Sequence, residues 1–437
     1  MEKIYQYYLK CNGISIDSRK IEPGNMFFAL KGPNFNANQF ALQAIEKGAI
    51  YAVVDDAKIA KKHPQLIQTD DVLITLQKLA NYHRIHFKGV VFALTGSNGK
   101  TTTKELIASV MSQQFKTHYT PGNYNNLIGL PFTILNMPEQ TEFLILEMGA
   151  NGPGEIEKLC AIAKPDSGLI TNIGKAHLEG FGSIEGVKKA KSELYNSLKS
   201  DDGTAFVNLD EKFLDELSSP ITKKIFYGSR SDGKVSKLNL KACLLAHYPT
   251  LKISFTWENN TTQYVDSNLP GSYNYANIIT AIAVGKFYGL SDALVIKGIQ
   301  SYTPKNNRSQ WEQIGTNRFF MDAYNANPSS MRASLFSFLE NCSELPILIL
   351  GDMREVGDYS LYEHQILIDE LYQKSKKIKE LWLVGEEFQK INIKGKTKRF
   401  LNSDEAKKYF KHQNYSGEVF FMKGSRGIAL EKIIPKH

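Results

Sequence analysis

One segment of the chain combines an apolar run, a glycine turn and a helical pattern, and it reads Val90-Val91-Phe92-Ala93-Leu94-Thr95-Gly96-Ser97-Asn98-Gly99-Lys100-Thr101-Thr102-Thr103. The continuous apolar run Val90–Leu94 is typical of a parallel strand that is buried on both faces. Four apolar residues that follow have helical spacing, and they are Leu106, Ile107, Val110 and Met111. They predict a helix from Thr102 to Gln114. A buried strand, a turn and a helix in this order predict an α/β sheet domain with a ligand site at the turn.

The turn has the composition of a phosphate-binding loop. Gly96 and Gly99 let backbone N–H groups approach a phosphate, Lys100 would reach the β- and γ-phosphates, and the Thr101 hydroxyl would bind Mg²⁺. The common G-x-x-x-x-G-K-[ST] pattern requires glycine at position 94, where this chain has Leu94. We therefore interpret the loop as a shortened variant. The residues expected to hold the nucleotide here are Thr95, Gly96, Ser97, Asn98, Gly99, Lys100, Thr101 and Thr102.

The alternation of strands and helices continues on both sides of this loop and predicts a chain of three α/β domains. We place the domains at residues 1–88, 89–303 and 304–437. The expected strands are Asn25–Leu30, Ile50–Val54, Phe143–Glu147, Gly168–Asn172, Ala205–Asn208, Arg318–Asp322, Pro346–Leu350, Leu381–Val384 and Val419–Met422. The expected helices are Phe40–Gly48, Leu73–His83, Tyr275–Tyr288 and Ser329–Leu339, and a β-rich stretch is expected from Lys234 to Trp257.

Composition excludes several classes of protein. The 437 residues are 42% hydrophobic and 22% charged, which is typical of globular proteins and excludes collagen-like, mucin-like and wholly disordered chains. No apolar run approaches the roughly 18–20 residues that span a bilayer. The four cysteines have no paired ligand spacing, so we expect neither disulfides nor a zinc site, and we expect a reducing cytoplasm.

The net charge of 53 − 45 = +8 favours anionic partners without choosing between nucleic acid and phosphorylated small molecules. Lysines crowd the stretch from Lys374 to Lys411, which we interpret as a solvated face of surface helices. The charge is not concentrated in an aromatic-interleaved stripe, so we expect no nucleic-acid partner.

Two residues beyond the loop are candidate metal ligands. Glu147 ends a predicted strand beside the phosphate loop, where a carboxylate is well placed to bind Mg²⁺. His177 follows another predicted strand at the same edge of the sheet. Lys191, on the helix that follows, would by itself be a surface lysine. A motor or regulatory NTPase is an alternative at this point, but the sequence lacks the D-x-x-G and N-K-x-D elements that read guanine.

Taken together, these motifs closely resemble the Mur ligases, which are ATP-dependent amide-forming enzymes of peptidoglycan precursor synthesis. The resemblance covers the whole chain. Thr95–Thr102 is similar to the family's shortened T-G-x-N-G-K-[ST]-[ST] loop, in which Leu94 is ordinary. Asn125–Pro131 resembles its N-N-x-x-G-x-P element. The resemblance implies a small UDP-binding domain, a central P-loop ATPase domain with a mostly parallel sheet, and a C-terminal Rossmann-like domain.

The resemblance also implies roles for particular residues. It implies two Mg²⁺ ions, with the metal-site residues Thr101, Glu147, His177 and Lys191. Lys191 falls at the lysine that the family carbamylates. Asn274 and Asn277 resemble a G-x-x-N-x-x-N segment near the adenine, although Tyr273 replaces a more frequent histidine. The residues implied in catalysis are Lys100, His177, Lys191 and Arg308, of which Arg308 would reach the ATP phosphates from the domain junction.

One element indicates the branch of the family. Asp322–Met331 resembles the D-x-Y-N-A-N-P-x-S-M element of the D-alanyl-D-alanine-adding ligases, and Gly351–Glu355 and Lys423–Arg426 resemble further elements of that branch. We assign Asp322 to the nucleotide site. The residues implied in substrate binding are Ser18, Arg19, Asn125, Asn126, Tyr324, Asn325 and Asn327.

The implied reaction joins D-alanyl-D-alanine to the terminal carboxylate of UDP-N-acetylmuramoyl-tripeptide through an acyl phosphate, with ATP converted to ADP and phosphate. We expect a cytoplasmic monomer without a transmembrane segment. Two alternatives stay open. One is the family member that adds the third residue, lysine or diaminopimelate. The other is a P-loop ATP-binding protein that is not a ligase.

Overall fold

The computed structural model describes residues 1–229, 238–258, 260–374, 378–393 and 397–435. Within these ranges the chain forms three α/β domains, each built on one mostly parallel sheet, as the sequence predicts. The first residues of the predicted β-rich stretch, 234–237, lie outside the described residues. So do four lysines of the lysine-rich stretch, Lys376, Lys377, Lys394 and Lys396.

The N-terminal domain contains a parallel sheet of four strands among the described residues. In sheet order these strands are Ile14–Ser15, Met26–Phe28, Tyr51–Val54 and Leu66–Gln68. A separate hairpin pairs Lys31–Gly32 with Phe35–Asn36. The helices are Glu2–Tyr8, Ala41–Glu46, Ala57–Ala60 and Val72–His86, with a 3₁₀ turn at Ala37–Phe40.

The helix Val72–His86 joins the first domain to the second. Asp71 caps it by accepting a hydrogen bond from the N–H of Ile74 at 2.7 Å. Its buried apolar residues belong to one hydrophobic core that also contains residues of the central domain. Arg84 adds a hydrogen bond of 2.8 Å to the carbonyl of Ala163. This helix therefore packs the two domains into a continuous core.

The central domain contains a sheet of nine strands in the described part of the chain. In sheet order they are Gln263–Asp266, Lys252–Trp257, Leu240–Ala246, Lys223–Gly228, Thr204–Asn208, Ser167–Ile170, Val90–Thr95, Phe143–Glu147 and Thr117–Tyr119. The two pairings among the first three are antiparallel and the others are parallel. The helices are Lys100–Met111, Gly129–Leu135, Glu155–Ala163, Leu178–Phe181, Ile184–Ser200, Leu214–Ser218, Tyr275–Phe287 and Asp292–Ser301, with a 3₁₀ turn at Ser272–Asn274.

The register of three central strands positions the site. Val90–Thr95 lies between Phe143–Glu147 and Ser167–Ile170, and all three run in parallel. Leu94 pairs with Glu147, and Thr95 pairs with Ile170. The loops that leave these strands therefore meet at one edge of the sheet, which is where parallel sheets bind ligands.

The C-terminal domain contains a six-stranded sheet within the described ranges. In sheet order the strands are Gln310–Ile314, Asn317–Met321, Val419–Lys423, Ile347–Gly351, Glu380–Val384 and Lys398–Phe400, and only the first pairing is antiparallel. The helices are Pro328–Asn341, Ser360–Lys374, Glu386–Gln389 and Ser403–Lys411, with 3₁₀ turns at Gly357–Tyr359, Arg426–Ile428 and Leu430–Lys432. Lys408 and Lys411 are exposed on their helix, as predicted. Among the helices described in the three domains, none has the length and apolar character needed to cross a bilayer.

Candidate active site

A cavity of about 850 Å³ lies between the central and C-terminal domains. Most of the predicted site residues line it. They are Ser97, Asn98, Gly99, Lys100, Thr101, Thr102, Asn125, Asn126, Glu147, His177, Asn274, Asn277, Arg308, Asp322, Tyr324, Asn325 and Asn327. Residues from distant parts of the sequence thus meet at the carboxyl edge of the central sheet.

Five predicted residues lie outside this lining. Thr95 is buried beneath the loop, where its hydroxyl donates a hydrogen bond of 2.7 Å to the carbonyl of Met148. Gly96 lies behind the loop surface, and Lys191 is buried behind the cavity wall. Ser18 and Arg19 belong to the N-terminal domain, where exposed Arg19 pairs with Asp17 at 2.8 Å.

The phosphate loop needs its two glycines for steric reasons. Gly96 has φ +143° and Gly99 has φ +76°. A Cβ atom on Gly96 would lie 1.9 Å from Thr171 Oγ1, and one on Gly99 would lie 2.5 Å from Asn277 Oδ1. The helix begins at Lys100, two residues earlier than predicted, because Gly99 ends the turn in a left-handed conformation. Lys100 Nζ donates a hydrogen bond of 2.7 Å to the carbonyl of Gly96, so its ammonium lies over the loop.

Glu147 lines the cavity, and one of its carboxylate oxygens has no hydrogen-bond partner in the described part of the chain. Its side chain is buried, and Oε1 accepts a hydrogen bond of 2.8 Å from Asn125 Nδ2. Oε2 has no hydrogen-bond partner among the described residues and lies 3.7 Å from Nζ of the buried Lys104. Burial lowers the pKa of Lys104, and the Glu147 carboxylate opposes that shift. Lys104 was not among the predicted site residues, although its position one helical turn after Lys100 could have indicated it.

Lys191 is buried, although a lysine considered without its neighbours is expected at the surface. It is 1% exposed, and within the described ranges its Nζ has no hydrogen-bond partner. Burial lowers its pKa to about 7, and the charge of Lys100 acts in the same direction. The helix Ile184–Ser200 turns its apolar face inward, and position 191 falls on that face with Val187 and Leu194. Helical spacing from these two residues is the sequence signal that could have predicted its burial.

His177 meets a carboxylate from the C-terminal domain. Its Nδ1 lies 2.7 Å from Glu355 Oε2, and this contact leaves Nε2 as the ring nitrogen for another ligand. The hydrogen bond from His177 lowers the pKa of Glu355. Both residues have left-handed backbone, with φ +51° and φ +64°, which is strained for residues other than glycine. Glu355 ends the motif Gly351–Glu355, but it was not among the predicted site residues.

Further contacts between the two domains surround the cavity. Asn327 Nδ2 donates a hydrogen bond of 2.7 Å to Asn98 Oδ1 of the phosphate loop. Lys175 Nζ pairs with the buried Glu363 at 2.6 Å. The C-terminal domain therefore contacts the loops that follow both the phosphate strand and the His177 strand.

On the C-terminal side of the cavity, a cation–π contact and an ion pair hold the charged side chains in place. The guanidinium carbon of Arg308 lies 3.6 Å from the ring centroid of Tyr324. Asp322 Oδ2 accepts a hydrogen bond of 2.7 Å from Lys423 Nζ. Arg308 and the Asp322–Lys423 pair all line the cavity, and they give this side fixed charges around a space large enough for a nucleotide and a peptide.

The sequence is similar to known proteins of one family. The family model described as "Mur ligase family, catalytic domain" matches residues 10–88, and the one described as "Mur ligase middle domain" matches residues 94–285. The UDP-N-acetylmuramoyl-tripeptide--D-alanyl-D-alanine ligase of Bacillus subtilis (strain 168) is 33% identical over 433 residues, which cover 97% of this chain and 92% of that protein. The chain belongs to the Mur ligase family.

Solved structures extend the likeness of this Mur ligase to the whole fold. A crystal structure of MurF from Acinetobacter baumannii has a TM-score of 0.82 and 30% identity, covering 96% of this chain and 92% of that one. MurF ligase from Thermotoga maritima, in complex with ADP, has a TM-score of 0.83 and 26% identity, covering 98% and 96%. This Mur ligase therefore shares the three-domain architecture of its relatives.

Proposed function

We propose that this Mur ligase joins D-alanyl-D-alanine to the terminal carboxylate of UDP-N-acetylmuramoyl-tripeptide, and that ATP is converted to ADP and phosphate. The names of its relatives and the ADP complex of the Thermotoga protein support this assignment. The observation that carries it is the placement of the Asp322–Asn327 segment opposite the phosphate loop in one cavity. That segment is the element that separates the D-alanyl-D-alanine-adding branch from the member that adds the third residue.

The chemistry requires two transfers. A carboxylate oxygen of the tripeptide attacks the γ-phosphorus of ATP, and the bond to ADP breaks to give an acyl phosphate. The free amine of D-alanyl-D-alanine then attacks the acyl carbon, phosphate leaves, and the nitrogen loses a proton. Lys100 and Arg308 would stabilise the negative charge that is in transit, because both side chains line the cavity. Enclosure between two domains would protect the acyl phosphate from water.

We propose that two Mg²⁺ ions, the number that the family resemblance implies, bind around the loop. Thr101, Glu147 and His177 line the cavity, and Glu147 Oε2 is a buried hard oxygen without a hydrogen-bond partner in the described part of the chain. Groups of three or more His, Cys, Asp or Glu side chains that suit a metal do not occur among the described residues. The remaining ligands would therefore be hydroxyl, carbamate and phosphate oxygens. When bound, Mg²⁺ neutralises phosphate charge.

We infer that Lys191 is carbamylated. Its Nζ is buried without a hydrogen bond from any described residue, and its pKa of about 7 leaves much of it as the neutral amine near neutral pH. A neutral amine adds CO₂ and releases a proton, which turns the side chain into an anion. An anion at this position would balance the nearby Lys100, whose charge now acts against that of Lys191.

The three domains would divide the work. We propose that residues 1–88 bind the UDP-sugar through Ser18 and Arg19, and that residues 89–303 bind ATP through the phosphate loop, Asn274 and Asn277. Residues 304–437 would bring the dipeptide, with Tyr324, Asn325 and Asn327 facing the acceptor. We propose that the enzyme acts as a monomer in the cytoplasm, where its nucleotide substrates occur.

A phosphate-release assay tests the function. Enzyme, ATP and Mg²⁺ are mixed with UDP-N-acetylmuramoyl-tripeptide, with lysine or diaminopimelate as its third residue, and D-alanyl-D-alanine is added or withheld. We expect phosphate release that depends on the dipeptide, and a pentapeptide product by mass spectrometry. Release only with the dipeptide precursor and free lysine or diaminopimelate would move the assignment to the third-residue ligase. ATP hydrolysis at a rate that depends neither on D-alanyl-D-alanine nor on lysine or diaminopimelate would indicate a protein that is not a ligase.

A further inference from the structure

A line of hydrogen bonds crosses the junction between the central and C-terminal domains, and its centre is Ser309. Ser309 is buried and lies between the last helix of the central domain, Asp292–Ser301, and the strand Gln310–Ile314. The hydroxyl of Tyr273 lies 2.7 Å from Ser309 Oγ, and Asn274 Nδ2 donates to the same oxygen at 3.3 Å. We call Tyr273, Asn274 and Ser309 the junction clasp.

The junction clasp is connected to the phosphate-loop helix on one side. Asn277 Nδ2 donates a hydrogen bond of 2.9 Å to Asn274 Oδ1, and Thr103 Oγ1 donates one of 3.0 Å to Asn277 Oδ1. Thr103 belongs to the helix that begins at Lys100. Side-chain hydrogen bonds therefore run without a break from this helix to Ser309.

On the other side the junction clasp is connected to the C-terminal sheet. The N–H of Ser309 donates a hydrogen bond of 3.3 Å to Asp322 Oδ1, and Asp322 Oδ2 accepts one of 2.7 Å from Lys423 Nζ. Ser309 has φ +51°, a left-handed conformation that a serine holds only where its surroundings impose it. Three hydrogen bonds on one residue supply that constraint.

Arg308 precedes Ser309 and lines the cavity. Its backbone direction is therefore set by the conformation that the clasp imposes on its neighbour. We propose that Tyr273 and Ser309 are positioning residues that hold Arg308 toward the triphosphate when the two domains are together. The inference rests on the proposed function for the role of Arg308, and it gives a role to the tyrosine that replaces the more frequent histidine.

Tyr273→Phe is the direct test, because it removes the hydroxyl and keeps the ring that packs against Gly271. We expect kcat of the ligase reaction to fall about 5–10-fold, the equivalent of one hydrogen bond, with the KM for D-alanyl-D-alanine unchanged within about 2-fold. Ser309→Ala should give a similar loss. The double variant should be no worse than the more severe single one, since both changes break the same contact.

Tyr288→Phe is the matched control. It also removes a tyrosine hydroxyl that bonds a serine, Ser167 Oγ at 2.6 Å, but this pair lies outside the cavity lining. We expect its kcat to stay within about 2-fold of the parent enzyme, because no residue of the site depends on it. An equal loss of kcat in Tyr288→Phe and Tyr273→Phe would overturn the proposal, since general loosening would then explain both.

Two further measurements separate positioning from a direct role. In an Arg308→Ala background, Tyr273→Phe should change kcat by less than about 2-fold, because the group that it positions is gone. A full additional loss there would contradict action through Arg308. Hydrogen exchange of the peptide spanning residues 303–311 should be faster in Tyr273→Phe than in Tyr288→Phe, and equal rates would also overturn the clasp. The exchange experiment needs no substrate, so it stands even if the parent enzyme shows no dipeptide-dependent phosphate release and the proposed function fails.

Discussion

The two sides of the cavity differ in whether their charged groups already have partners. On the side of the central domain, Glu147 Oε2 in the lining and Lys191 Nζ behind it are buried without a hydrogen bond from any residue described, and Oε2 has only the Lys104 ammonium at 3.7 Å. On the side of the C-terminal domain, Asp322 pairs with Lys423, and Glu355 and Glu363 pair across the interface with His177 and Lys175.

This difference indicates a division of roles. Burying a charged group without a hydrogen bond costs more free energy than burying a neutral one such as the Ser334 hydroxyl, which also has no partner among the described residues on the C-terminal side. The two charged groups of the central domain therefore point to species that arrive with the substrates. Charges that already have partners do not need a ligand. We infer that the central domain binds most of the triphosphate and its ions, with Arg308 reaching them from the C-terminal side, and that Glu355 and Glu363 of the C-terminal domain dock against the loops and orient their side chains.

Lys191→Met should have the largest effect of the variants that test this difference between the two sides of the cavity. We expect it to lose turnover and to gain stability. The change removes a buried amine without a described partner. By analogy with replacing buried charges by apolar side chains, the free energy of unfolding should rise by roughly 1–4 kcal/mol. Turnover should fall below detection, because no carbamate can form. Thermal unfolding in carbonate-free buffer and the phosphate-release assay measure the two effects.

The pH dependence of that stability gain follows from the pKa of Lys191. The pKa is about 7 in the folded protein, against an ordinary lysine value of 10.5 that applies to the unfolded chain. The unfolded chain therefore binds more protons between these values, so the burial cost is full below about pH 7 and disappears as pH rises toward 10.5. The gap between Lys191→Met and the parent protein should close over that range. Lys189→Met, on the exposed side of the same helix, should show neither effect.

A smaller effect is expected from Glu355→Gln on the opposite side of the cavity. The variant keeps the size of the side chain but loses the charge that orients His177, and loss of such a partner typically costs about 10–100-fold. We expect kcat to fall by that factor while thermal stability changes little. Glu386→Gln, which alters an exposed glutamate of the same domain, is the control. Parent-like kcat in Glu355→Gln would show that His177 needs no orientation by the C-terminal domain.

The smallest effect is expected from Lys175→Met. Lys175 is half-exposed, and Glu363 keeps its ion pair of 3.0 Å with Arg332 after the change. We therefore expect kcat/KM for D-alanyl-D-alanine to fall by no more than about 5-fold, consistent with an ion pair worth about 1 kcal/mol. Lys223→Met breaks an exposed pair with Asp202 inside the central domain and should leave kcat/KM unchanged. An equal loss of activity in Lys175→Met and Glu355→Gln would contradict this distinction. The Lys175–Glu363 contact and the His177–Glu355 contact would then have to act together.

Much of the fold followed from local patterns. The strand Phe143–Glu147 has the predicted bounds, and other predicted strands and helices differ from the structure by a few residues at their ends. Apolar runs and helical spacing are properties of neighbouring residues, so they can be read without the fold. The helix Val72–His86 shows the limit, because its residues gave no sign that it would share a core with the second domain.

In the candidate site, too, some features could be predicted from neighbouring residues and others could not. The sequence by itself determined the phosphate loop, the carboxylate at the end of the neighbouring strand and the family, because these depend on a strand, a turn and a helix that are contiguous in the chain. Only the tertiary structure decided that Lys191 is buried without a hydrogen bond from any described residue, that Glu355 meets His177, and that Tyr273 bonds Ser309. Burial and contacts between domains depend on how separate elements pack, and residues 36 to 178 positions apart in the chain come together only when the domains do.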